Sequence, residues 1–256
     1  MPSAVLEVLA DPAAVAERVA ERVLQAALQC PELPLGLATG RTMVPVYSAL
    51  VGRIAALPAP SRQQLLTHWR SFNLDEYVGL GPDHPQSFAA YMQRHLGSHL
   101  GLRDGQVLLP DGLAADPGAE ADRYGAQLER SGGIGLQLLG LGSNGHIGFN
   151  EPPCAVDAPC RCLDLSAATR EQNAGAFGGD PAAVPARAIT LGTREILRAH
   201  EVLLVVTGAA KAGVLRRALE APPGPALPAS WLQRHPQLQV VVDSAARGGA
   251  SRARHS

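Results

Sequence analysis

Apolar residues first recur along this chain at every fourth position, with Val15, Val19 and Val23 set in an Ala/Glu/Arg background after Asp11-Pro12. That spacing puts them on one face of a helix capped by Asp11, with proline at its first position and its end near Cys30. Leu33 to Ala38 is a short apolar run and reads as a strand. Thr39-Gly40-Arg41-Thr42 leads from it into a second helical pattern, Val44, Tyr47, Ser48, Leu50 and Val51, with Pro45 in the first turn. The pattern next predicts a strand within Leu66 to Leu74 that ends in Asp75-Glu76-Tyr77, and a helix from His84 to about Leu96. A strand over Gln106 to Leu109 and a helix over Asp116 to Arg130 follow. Ile134 to Leu141 is apolar enough for a strand buried on both faces, as parallel strands are, and it breaks into the glycines of Gly140-Leu-Gly142-Ser-Asn144-Gly145-His146.

From Pro152 to Pro185 both periods fail, apart from a possible short helix around Ala167 to Phe177. A connection of that length predicts a lid, about residues 152–187, that closes over a ligand and excludes water. Alternation resumes with strand Ala188 to Leu191, helix Thr193 to Arg198, strand Val202 to Thr207, helix Ala210 to Glu220 and a last strand Leu238 to Asp243. The succession predicts a single α/β domain over residues 1–246, built on a mostly parallel, Rossmann-like sheet with helices on both faces, and a flexible tail over 247–256. No G-x-G-x-x-G opens a first βαβ unit, which disfavours a dinucleotide ligand.

Composition narrows the partners. A formal charge of −1 over 256 residues leaves no basic footprint for nucleic acid, and no window approaches the ~20 apolar residues of a membrane span. A small-molecule ligand and a cytoplasmic location are expected. Cys154, Cys160 and Cys162 crowd one Pro-rich loop and read as free thiols, since they lack the paired spacing and fourth ligand of a zinc site. Basic residues are almost all arginine, and Lys211 is the sole lysine, in the first turn of a predicted helix. A cation there opposes the helix dipole unless an anion lies between them, so Lys211 points to an anionic ligand; chance is the plain alternative.

The candidate chemistry gathers at predicted C-terminal ends of strands, where open α/β sheets bind ligands. Backbone N–H groups at the start of the second helix, with the Thr39 and Thr42 hydroxyls and the Arg41 guanidinium, suit a phosphate, although an ordinary turn uses the same residue types. Asp75 and Glu76 bring two carboxylates to that edge, or serve as caps and turn residues. His146, Asn144 and Glu151 can handle protons.

Five segments together resemble the glucosamine-6-phosphate deaminase (isomerase) family, in the family's order and over nearly the whole chain. They are Gly36 to Thr42, Phe72-Asn-Leu-Asp-Glu-Tyr-Val-Gly-Leu80, Gly140-Leu-Gly-Ser-Asn-Gly-His-Ile-Gly-Phe-Asn-Glu-Pro152, Thr207-Gly-Ala-Ala-Lys211 and Ser230-Trp-Leu-Gln-Arg-His-Pro236. The resemblance implies conversion of an amino-sugar phosphate and water to a ketose phosphate and ammonia, without metal or organic cofactor. It implies Asp75 as the base working between C2 and C1. His146 would open the sugar ring, oriented by Asn144 and assisted by Glu151. Thr39, Gly40, Arg41, Thr42, Glu76, Gly142 and Lys211 would bind substrate. Three departures stand out: asparagine at 144 where some members carry aspartate, Arg41 where a small residue is usual, and no arginine within Asn173 to Phe177. For the last, either Arg170 or Arg187 substitutes or substrate affinity is lower. A galactosamine-6-phosphate deaminase, a 6-phosphogluconolactonase and a non-catalytic sugar-phosphate sensor are the rival readings. The chain is expected to be a monomer or small homo-oligomer.

Overall fold

The computed structural model describes residues 5–248. Among the described residues ten strands form two sheets: β1 Val5–Leu9, β2 Leu35–Leu37, β3 Ser71–Asn73, β4 Asp75–Tyr77, β5 Val107–Leu108, β6 Leu136–Gly140, β7 Arg161–Asp164, β8 Arg187–Thr190, β9 Glu201–Val206 and β10 Leu238–Asp243. Seven make one sheet in the order β1-β10-β9-β6-β2-β3-β5, every pairing parallel. The chain therefore builds outward from β2 through β3 to β5, returns to β6 beside β2, and builds the other way through β9 and β10. Its direction reverses between β2 and β6, and such a switch point opens a crevice at the C-terminal ends of the strands.

Helices cover both faces, as the apolar pattern predicts. Asp11 caps the helix Pro12–Gln29 by accepting from the Ala14 N–H at 2.8 Å, and Val15, Val19 and Val23 are buried. A Cβ on Gly140 would meet Met43 Cε at 3.6 Å, which puts helix Met43–Ala55 on that face of the sheet. Phe72, in register with Gly36 and so on the opposite face, packs against Tyr124 of helix Pro117–Arg130 at a ring separation of 5.5 Å. Among the described residues no helix is long and apolar enough to cross a membrane.

Several expectations need correction. Val5–Leu9 is an edge strand that the apolar pattern did not single out, because two of its five residues are exposed. Leu66 belongs to a helix, Ala59–His68, and the strand that follows is only Ser71–Asn73. Asp75-Glu76-Tyr77 follows directly on β3 at the C-terminal edge of the parallel sheet but does not extend that strand. It forms its own strand in a second sheet, β4-β8-β7, which is wholly antiparallel. The expected parallel strand at Ala188 is β8 of this same small sheet. The lid stretch contains β7 and a short helix, Ala167–Asn173, so it is an organised excursion rather than an open loop. Of the expected tail, residues 249–256 lie outside the described residues.

Candidate active site

Four turns follow four adjacent parallel strands at the switch point: 38–42 after β2, 74 after β3, 141–151 after β6 and 207–211 after β9. The turn after β6 is closed by its own backbone. The Gly142 N–H donates to the His146 carbonyl at 2.9 Å and the Gly145 N–H to the Gly142 carbonyl at 3.1 Å. A Cβ on Gly142 would fall 2.3 Å from the His146 ring, so only glycine lets the imidazole lie against the turn. Gly142 was expected to bind substrate; its N–H is already committed, and it serves as the floor for the histidine.

Asn144 Oδ1 accepts the His146 backbone N–H at 3.1 Å and lies 2.7 Å from His146 Nδ1. An oxygen that accepts both assigns the ring hydrogen to Nδ1 and leaves the Nε2 lone pair open. Burial, then the nearby Lys211 charge, push His146 down to about 4, so the ring is neutral at pH 7. A neutral imidazole with a bare Nε2 is a proton acceptor.

Asp75 rises beneath this loop from the other sheet. A Cβ on Gly148, whose φ is +57°, would lie 3.2 Å from both Asp75 Oδ2 and Thr190 Oγ1, so the loop crosses closely over the carboxyl. Thr190 is the cross-strand partner of Asp75; its Oγ1 accepts the Phe149 N–H at 3.3 Å. Burial first, then the Glu76 charge, raise Asp75 to about 8, against a smaller opposing pull from the Phe149 N–H.

Glu76, next along the strand, points away as strand geometry requires. Its carboxylate accepts the backbone N–H groups of Tyr77, Phe88 and Ala89 at 2.9, 2.9 and 2.8 Å, and only 2% of the residue is exposed. The expected substrate contact is therefore replaced by a capping role at the start of helix Phe88–Met92.

At the far end two cations converge. Arg41 lies in the turn after β2, where Gly40 takes φ +115° and its carbonyl accepts the Tyr91 hydroxyl at 2.8 Å. Thr42, at the start of helix Met43–Ala55, makes no side-chain capping bond. Lys211 ends the 3₁₀ turn Ala209–Lys211 ahead of helix Ala212–Glu220, and burial with the Arg41 charge lowers its pKa. Among the described residues neither cation is in an ion pair. Two like charges without an ionic partner beside a helix start have the chemistry that suits an anion. Asp243, buried at the end of β10, holds the Lys211 turn by accepting the Gly208 N–H at 3.0 Å.

Glu151 goes elsewhere than expected. Its carboxylate accepts from the Ser166 N–H at 3.1 Å, from Ser166 Oγ at 3.0 Å and from Thr169 Oγ1, all at the start of helix Ala167–Asn173, and it makes no hydrogen bond to His146. Arg170 is tied to the Ala182 carbonyl at 3.2 Å within the lid with its Nε buried and unpartnered, and Arg187 is exposed opposite Asp164. Sequence reasoning missed Ser166, Thr169, Thr190 and Asp243. Ser166 alone carried a readable signal, as a serine one residue before a helical run.

Residues 10–241 match the family described as glucosamine-6-phosphate isomerases/6-phosphogluconolactonase. The chain is 42% identical to glucosamine-6-phosphate deaminase of Rhodopirellula baltica over 94% of both chains. It is 41% identical to the Streptomyces coelicolor enzyme of that name, over 93% of this chain and 90% of the other. Among solved structures, a monomeric glucosamine-6-phosphate deaminase superposes with a TM-score of 0.89 at 31% identity, covering 95% of this chain and 99% of that one. The 6-phosphogluconolactonase of Trypanosoma brucei shares the fold, with a TM-score of 0.76 at 20% identity over 98% of this chain and all of that one.

Proposed function

The chain belongs to the glucosamine-6-phosphate isomerase/6-phosphogluconolactonase family, and we propose that within it this protein is a glucosamine-6-phosphate deaminase, turning glucosamine 6-phosphate and water into fructose 6-phosphate and ammonia. The observation that carries this is the buried Asp75 carboxyl beneath Gly148 in the histidine loop. Lactone hydrolysis has no use for a group that shuttles a carbon-bound proton, whereas aldose–ketose isomerisation depends on one.

In this reading the phosphate sits between Arg41, Lys211 and the Thr39–Thr42 turn, anchoring the sugar by its non-reacting end. His146 Nε2 takes the proton of the O1 hydroxyl and returns it to the ring oxygen, opening the pyranose. Asp75 then removes the C2 proton and delivers it to C1. A proton passes from the C2 ammonium to O1 as the C2 iminium forms, and the iminium then adds water and releases ammonium, so that every atom is accounted for. Asp75 must be ionised to act, and the C2 ammonium of the bound substrate supplies the charge that draws its pKa down from about 8. Asn144 fixes the tautomer of His146, and Glu151 joins the site to the lid.

Incubating the protein with glucosamine 6-phosphate, and separately with 6-phosphogluconolactone, tests this. Ammonia and fructose 6-phosphate are expected in equal amounts. Rapid lactone hydrolysis without ammonia would replace the deaminase by the lactonase.

A further inference from the structure

We propose that helix Ala167–Asn173 is a strut that sets the spacing between the two catalytic halves, with Thr169 the positioning residue through which it holds Glu151. This rests on the deaminase reading. Seven residues are too few for a helix to stand by itself, so its tertiary ties decide where it lies. Arg170 ties it to the Ala182 carbonyl within the lid, and three further ties each land on or within two residues of a group named above. At its start, Ser166 and Thr169 donate to Glu151. In its last turn, Gln172 Oε1 accepts from Ser143 Oγ at 2.8 Å, and Ser143 adjoins Asn144. At its end, Asn173 Nδ2 donates to the Tyr77 hydroxyl at 2.9 Å, two residues from Asp75 on the same strand. Phe177 then seats edge-on against Tyr77 at 5.6 Å, and Tyr77 also contacts Phe149 of the histidine loop at 5.5 Å.

The helix thus bonds to the strand of Asp75 and to both ends of the loop that carries His146, and makes no hydrogen bond to Arg41 or Lys211. A disturbance of the strut should therefore alter turnover and leave phosphate anchoring nearly alone. Thr169 is the sharpest point of entry, because its hydroxyl is buried and is spent on one carboxylate. Valine keeps its shape and removes only the donor.

The test compares steady-state ammonia release by the unmodified protein, Thr169→Val, Thr169→Ser and Asn173→Ala, each first checked by a thermal melt. Thr169→Val should lower kcat about tenfold, the weight of one hydrogen bond to a charged group, with KM within about twofold. Thr169→Ser should restore most of kcat. Asn173→Ala should slow exchange of the substrate C2 hydrogen with solvent several-fold, and it carries the test if Thr169→Val does not fold. Unchanged kcat, a rise in KM matching the fall in kcat, or a Thr169→Ser as slow as Thr169→Val overturns the strut; so does unaltered C2 exchange in Asn173→Ala. No ammonia from the unmodified protein overturns the deaminase reading itself, a result separable from all of these.

Discussion

The two sheets place chemistry in opposite ways. The seven-stranded sheet is parallel and apolar, and its turns deliver His146, Arg41 and Lys211 at a partly open edge. The three-stranded sheet is antiparallel, and the first of its strands, Asp75-Glu76-Tyr77, is polar in sequence yet buried throughout. Burial comes first at both: with the Lys211 charge it pushes His146 down to about 4, and with the Glu76 carboxylate it pushes Asp75 up to about 8. The ordinary order of a carboxyl and an imidazole is thereby inverted. At pH 7 the free protein presents a neutral histidine able to accept a proton and a carboxyl that still carries one, the kind of divergence that assigns acid and base roles within a site.

The sharpest way to break this contrast is Asp75→Asn. Turnover should fall about a thousandfold or more, because no other group is poised beneath Gly148 to move a proton on carbon. Stability should move the other way. A carboxyl whose folded pKa is raised binds its proton more tightly folded than unfolded, so its contribution is most favourable in acid. That contribution is lost as pH rises from about 4 through about 8. Asparagine removes the term, so the melting temperature of the variant should exceed that of the parent by more at pH 8 than at pH 5. An equal difference at both would show that Asp75 is not held protonated.

Lys211→Ala tests the other sheet. Losing a charged contact to phosphate should raise KM about thirtyfold. It should also lift the pKa of His146, since Lys211 is the charge that depresses it after burial. A titration of the ring followed by NMR reads this second effect without substrate, and an unmoved midpoint would separate the two residues. Arg41→Ala, on a more exposed side chain, should raise KM by a smaller factor, about fivefold.

The same contrast explains what the sequence could carry. Strands of the parallel sheet such as β9 and β10 are legible because burial on both faces demands unbroken apolar runs, and Asp11-Pro12 announces a helix by local hydrogen bonding alone. The turns holding His146 and Lys211 followed from those strands. The small sheet was not legible as a sheet. Its strands are three or four residues long, include Asp, Glu and Arg, and pair across 23 to 115 residues of chain, so no local period marks them. That is why Asp75 was found as a residue at the edge beyond β3, while its own strand and second sheet were not. The partner of Glu151 failed for a related reason: Thr169 lies 18 residues on, and only the folded lid brings it near.

Glu76→Gln is the mildest perturbation and the most discriminating. Glutamine can still accept backbone hydrogen bonds through one oxygen, but it loses the charge and one acceptor, so a stability loss of about 1–3 kcal/mol is expected. No substrate contact is removed, because the carboxylate is turned to Tyr77, Phe88 and Ala89. What changes is the field at its neighbour. Glu76 is the second cause of the raised Asp75 pKa, after burial, and neutralising it should let Asp75 ionise at lower pH. The rise of kcat/KM with pH reports the free protein's base, so its midpoint should shift toward acid while KM stays within about twofold. A large rise in KM would return Glu76 to the substrate. An unshifted midpoint would leave burial in the small sheet as the whole cause of the high pKa of Asp75.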